Sequence, residues 1–244
     1  MTKEMLNDLA ISGRGSATGG KYKSVKVNGM AKISGDILCE KFRCNGTSVV
    51  EGDMEAEEIR VSGKSTFQGD IKSNDLKVDG SIKCMGGLSS SSHVVVNGYM
   101  SFKGNITGDQ IDVKGNITGE KDVEAENLVV NGTLDIGGLV NAGNIEIRLY
   151  GECRATEIGG EKIKITPKDM PFNVNKLFKS LFQYEEKLIA QLIEGDEITI
   201  SHTHAKLVRG NQVKIGAGCV IDRVEYKEKI EIDAKAEVKE EIKI

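Results

Sequence analysis

From Val25 to about Lys162 the sequence repeats one phrase eight times. The phrase is apolar-x-apolar-x-Gly, six further residues, Gly-Asp or a close variant, and another apolar residue. Its starts fall at Val25, Phe42, Ile59, Leu76, Val94, Ile111, Leu128 and Ile145. Successive starts are seventeen residues apart, apart from one eighteen-residue step between Leu76 and Val94. A fixed period of this size marks a solenoid, in which each unit packs only on its neighbours.

Stacking the units shows which solenoid. Two residues after each start comes a second apolar column: Val27, Cys44, Val61, Val78, Val96, Val113, Val130 and Ile147. Eight residues in stand Ile33, Val50, Phe67, Cys84, Phe102, Gly119, Ile136 and Cys153; twelve in stand Ile37, Met54, Ile71, Leu88, Ile106, Val123 and Val140. Inward positions therefore come in pairs two apart, which is the period of a strand. Three such pairs per unit, separated by turns, close a three-sided coil. The fold class expected is all-β, a parallel β-helix of about seventeen residues per coil.

Glycine marks the corners. Gly29, Gly46, Gly63, Gly80, Gly98, Gly115 and Gly132 form one column, and Gly35, Gly52, Gly69, Gly86, Gly104 and Gly138 another. Asn28-Gly29, Asn45-Gly46, Asp79-Gly80 and Asn97-Gly98 are turn dipeptides, which predicts glycines at positive φ. A phosphate-cradling loop needs a helix amino terminus behind it, and here a strand follows each turn.

Composition narrows the function classes. A net charge of −4 makes no broad claim on nucleic acid, and none is expected as a partner. No run approaches the roughly 18 apolar residues of a membrane-spanning helix, and no leader pattern opens the chain. The five cysteines are odd in number and scattered, and Cys44, Cys84 and Cys153 fall in core columns. They read as buried thiols in a reducing cytoplasm.

Before the repeats, residues 1–22 read as a flexible tail, because Ser12 to Gly20 has the composition of a linker. Met1, Met5, Leu6 and Leu9 could line one side of a short helix, a candidate for weak peripheral membrane contact at the inner face. The β-helix is assigned to residues 23–166. Asp36, Asp53 and Asp70 share a column in which carboxylates about 4.8 Å apart repel; exposed turns are the plainer account, a bound cation the sharper one. Residues 167–195 follow, opening with Pro167 and Pro171, the only prolines, a pair expected to end regular stacking because proline removes a ladder donor. Here an inserted amphipathic helix is expected from about Asn173 to Glu194, with Val174, Leu177, Phe178, Leu181, Leu188 and Leu192 on its packing face and Gly195 closing it. Residues 196–244 return to strand periodicity as a less regular β segment.

Candidate chemistry is sparse. His202 and His204 stand two apart, but no third metal ligand is named by the sequence, and a polar turn accounts for them. No Ser/His/Asp set, P-loop or acid pair stands out. A carbohydrate-processing β-helix would need an aromatic-lined groove, and aromatics are only 5%. A hexapeptide acyltransferase would need strict six-residue steps and a catalytic histidine from His93, His202 or His204. No catalytic residue, cofactor or metal site is assigned.

The phrases running Val25 to Ile37 and Ile59 to Ile71 resemble the repeat of bactofilins, the bacterial polymer-forming cytoskeletal proteins. The resemblance implies a right-handed, triangular β-helix that polymerises end to end without nucleotide. Its partner would be itself, with a paralogous subunit as a second candidate, and its site cytoplasmic. The helix and strands after Pro167 depart from that pattern and could cap one end. Val25, Val27, Ile33 and Ile37 at the first coil, with Ile230 and Ile232 at the last, are the candidate polymer interface. The competing reading is a β-helical adaptor of small oligomeric state.

Overall fold

Backbone register carries the repeat into three dimensions. The computed structural model describes residues 6–168 and 186–244. It divides into two compact units, Met1–Asp122 and Val123–Ile244. Each is an all-β parallel solenoid, and together they make about 13 turns.

In the first unit the predicted columns stand in register. Leu9, Val25, Phe42, Ile59, Leu76, Val94 and Ile111 pair one above another, and so do Ile11, Val27, Cys44, Val61, Val78, Val96 and Val113. The second side stacks Thr47–Val50, Lys64–Phe67, Ser81–Cys84, Tyr99–Phe102 and Asn116–Gly119. Side chains alternate between interior and solvent, so a slip of one residue would turn every apolar residue outward. With each buried aliphatic worth about 1.5–3 kcal/mol, the columns fix the register. Phe42 and Phe67 meet edge to face at 5.6 Å. Phe102 reaches so far along its column that a Cβ on Gly119 would overlap its ring, which explains why glycine stands there.

The second unit continues the pattern with longer strands that turn the corners unbroken: Val123–Leu149, Glu152–Pro167, Lys187–Ile200, Thr203–Ile215 and Val220–Ile232, then the short Glu237–Lys243. Ile145, Ile163, Ile198, Val213 and Ile230 form one column, and Ile147, Ile165, Ile200, Ile215 and Ile232 another. Register replaces the predicted Cys153 above Ile136 with Ala155.

The turn glycines are glycine for a different reason from the one the dipeptides suggested. Positive φ occurs among glycines only at Gly20, Gly35 and Gly218 in the described residues. At Gly29, Gly46, Gly63, Gly80, Gly98 and Gly115 a Cβ would instead overlap a backbone carbonyl of the preceding coil. Close approach, rather than handedness of the turn, excludes side chains there.

Four expectations change. Residues 14–22 are no flexible tail: Leu9–Ile11 and Arg14–Val27 are strands. They form a further coil, with Leu9 over Val25, so Leu9 lies on no helix face. Val25, Val27, Ile33 and Ile37 therefore are not the outermost rung. Leu9, Ile11, Ala17 and Gly20 pair with them, and their exposure is 1% or less. The helix expected up to Glu194 is also corrected in its described part. Leu188 and Leu192 lie in the strand Lys187–Ile200, and Gly195 stacks between Gly160 and Gly210 as a rung of the sheet. Val174, Leu177, Phe178 and Leu181 lie outside the described residues. Pro167 does not break the stack; it closes a strand opposite Leu149, where its missing N–H costs little.

Candidate functional site

Reactive side chains meet on the surface of the first unit. Ser92, His93 and Asp75 come together at the extra residue of the serine run, where the register shifts. Ser92 Oγ lies 2.7 Å from His93 Nδ1, and Asp75 Oδ1 lies 3.3 Å from that same nitrogen. A nucleophilic triad uses the two ring nitrogens for different partners, one to hold the carboxylate and one to take the serine proton. Here one nitrogen serves both, and His93 and Asp75 are each more than half exposed. The group is a surface hydrogen-bond cluster.

His202 and His204 do not share a strand face. His202 sits at φ 50° in the turn before Thr203–Ile215, and His204 lies inside that strand. Among the described residues no three His, Cys, Asp or Glu side chains are placed to hold a metal. The aspartate column resolves without a cation. Asp53 N–H donates to Asp36 Oδ1 at 2.9 Å, Asp70 N–H to Asp53 Oδ1 at 2.8 Å, and Gly87 N–H to Asp70 Oδ1 at 2.8 Å. Each carboxylate thus accepts a hydrogen bond from a backbone N–H of the next coil, offsetting the repulsion along the column. The five cysteines are buried and unpaired. Burial pushes the Cys39 and Cys84 thiols up to about 12, which removes the thiolate that nucleophilic chemistry needs.

A groove runs along the second unit over Ala125, Ala142, Gly160, Gly195 and Gly210, walled by Glu124, Glu126, Glu157, Glu161, Glu194 and Asp196. Its floor is small because a Cβ at Gly160, Gly195 or Gly210 would press on the carbonyl of the rung below. No aromatic residue lines it, so it lacks the stacking platform a sugar ring would use.

Each unit also presents an outermost described rung. In the first unit, Leu9 and Ile11 form the outermost described rung and are half-buried. In the second, no described strand lies over Ile230 and Ile232, and Ile232 is 39% exposed. Charges surround this end. Arg209 Nε and Arg223 Nη2 each lie 2.6 Å from the Glu225 carboxylate, whose side chain is only 8% exposed. The hydrogen bond from Arg209 holds Glu225 below the usual carboxylate range.

Parallel ladders whose outermost described rungs are apolar define a parallel β-solenoid. The family model described as bactofilin, polymer-forming cytoskeletal, matches residues 3–86 and again 61–157. These cover more than half of the chain, which belongs to the bactofilin family. Two relatives in Bacillus subtilis (strain 168), the uncharacterized proteins YhbF and YhbE, are similar to it. YhbF is 37% identical over 108 residues, 44% of this chain and 42% of its own length. YhbE is 38% identical over 110 residues, 45% of this chain and 44% of its own length. The match thus spans less than half the length of either relative. No solved structure matches the chain, and no described helix is long and apolar enough to cross a membrane.

Proposed function

We propose that this chain is a non-enzymatic scaffold whose copies join end to end, without nucleotide. Bactofilin membership supports a polymer-forming cytoskeletal role. The observation that carries the finer reading is the pair of open rungs, Leu9 and Ile11 in one unit and Ile230 and Ile232 in the other. An unpaired ladder edge offers a row of N–H and C=O groups to any strand of matching pitch. A second copy has that pitch, and stacking it repeats the contact that each coil already makes. Such a junction does not close on itself, so it builds a fibre. The interface named from the sequence moves out by one coil at the amino-terminal end and stays at Ile230 and Ile232 at the other. A paralogous solenoid of the same cross-section would fit the same rungs. Unpaired buried thiols favour the cytoplasm as its place of work.

The test is electron microscopy and sedimentation of the purified full chain in buffer free of nucleotide and metal. Filaments that lengthen with protein concentration are expected. A particle of constant small mass at every concentration would replace the scaffold with the small adaptor.

A further inference from the structure

One inward column of the second unit stays apolar up to the last described strand and then changes character. Val140, Ile158, Ile193, Val208 and Val224 stack in one column, all buried. The residue that stands over Val224 is Glu241. In the column of Gly195, Gly210 and Tyr226 the next residue is Lys243. Both are exposed, and only Val238 and Ile242 of this strand are half-buried.

Glu237–Lys243 is held by polar contacts more than by a core. Lys239 Nζ lies 2.6 Å from Asp222 Oδ1, and Arg223 Nε lies 3.8 Å from Glu240 Oε2. Tyr226 is hydrogen-bonded to the Glu241 carboxylate, and its hydroxyl is raised by burial first and then by that charge. At the first unit's outer rung the inward residues are Leu9, Ile11, Gly15 and Ala17, without a charge. The second unit's outer rung therefore carries charges that the first unit's lacks.

We propose that the strand Glu237–Lys243 is a brake on assembly. It rests on the end-to-end reading above and adds that one of the two stacking faces is weakened by design. A second copy seated on this rung would bury the Glu241 carboxylate in a column that below it holds Val140, Ile158, Ile193, Val208 and Val224, and the Lys243 ammonium over Tyr226. Ile230 and Ile232, on the neighbouring side of the same face, remain apolar, so the junction is loosened and not abolished. The occupant is another copy of this chain, because only a solenoid of equal pitch engages all three ladders at once.

The experiment compares the full-length protein with the full-length double variant Glu241→Val, Lys243→Val, using filament length by electron microscopy and far-UV circular dichroism as the check on folding. If the two charges weaken the junction about tenfold, mean length, which grows as the square root of the association constant, rises about threefold. Filaments from the double variant alone would show the same brake at greater strength. Unaltered filaments whose length the substitutions leave unchanged or reduce would overturn the brake and leave end-to-end assembly standing. No filaments from either protein would overturn the assembly reading itself.

Discussion

Val27→Lys is expected to unfold the amino-terminal coils and not merely trim an assembly. Val27 is 0% exposed and lies between Ile11 below and Cys44 above. An ammonium there has no partner within the aliphatic interior, and an unpaired buried charge costs several kcal/mol beyond the lost packing. A loss of about 4 kcal/mol or more is therefore expected. That is a large share of the 5–15 kcal/mol typical of a whole domain. Because a solenoid's stability is built from neighbour contacts, the damage should be local, with protection lost first in coils adjoining Val27. Urea denaturation and hydrogen exchange measure both. A Val27→Lys protein that melts like the unaltered chain would mean that Val27 is an outer-rung residue after all, with Leu9–Ile11 detached.

The second large effect comes from removing no atoms at all. Gly63→Ala adds one methyl where a Cβ would overlap the carbonyl oxygen of Gly46, and that oxygen accepts the Lys64 N–H at 2.8 Å. Neither backbone can yield without parting the coils. The cost expected is about 3 kcal/mol, the upper end for an overpacked site. Gly13→Ala is the matched control: nothing lies within 4 Å of its Cβ position, and its φ is not positive. It should fall within about 0.5 kcal/mol of the unaltered chain. Equal melting of the two variants would show that the glycine column reflects turn composition and not the separation of coils.

The contrast between these glycines shows what could be read from sequence and what could not. The period and the columns were legible because burial imposes one apolar residue per rung: Val61 can stand over Cys44 only if both face inward. The purpose of the glycines was not legible, since a turn dipeptide looks the same whether φ or a neighbouring carbonyl demands the missing side chain. The coil before Val25 was hidden for a related reason. Leu9 precedes Val25 by sixteen residues, and Gly19-Gly20 stands where later coils have Gly-Asp. Turns and flexible linkers draw on the same residues, so Ser12 to Gly20 read as a linker.

The helix over Leu188 and Leu192 failed on periodicity itself. Leu188, Ile189 and Leu192 fit a period of 3.6, but the inward set is Leu188, Ala190 and Ile193, split by a bend in the strand. Alanine was too weak an apolar signal to reveal it. The candidate site was legible at one end only. Ile230 and Ile232 follow from the seventeen-residue step, whereas Glu241 gains its meaning from standing over Val224, a fact of register.

Fibre diffraction from aligned filaments tests most directly whether copies of this chain continue one another's coils. Stacked ladders whose strands run across the fibre predict a strong reflection at about 4.8 Å along the fibre axis. The same spacing perpendicular to the axis would mean that copies associate side by side, and would contradict joining through the outer rungs.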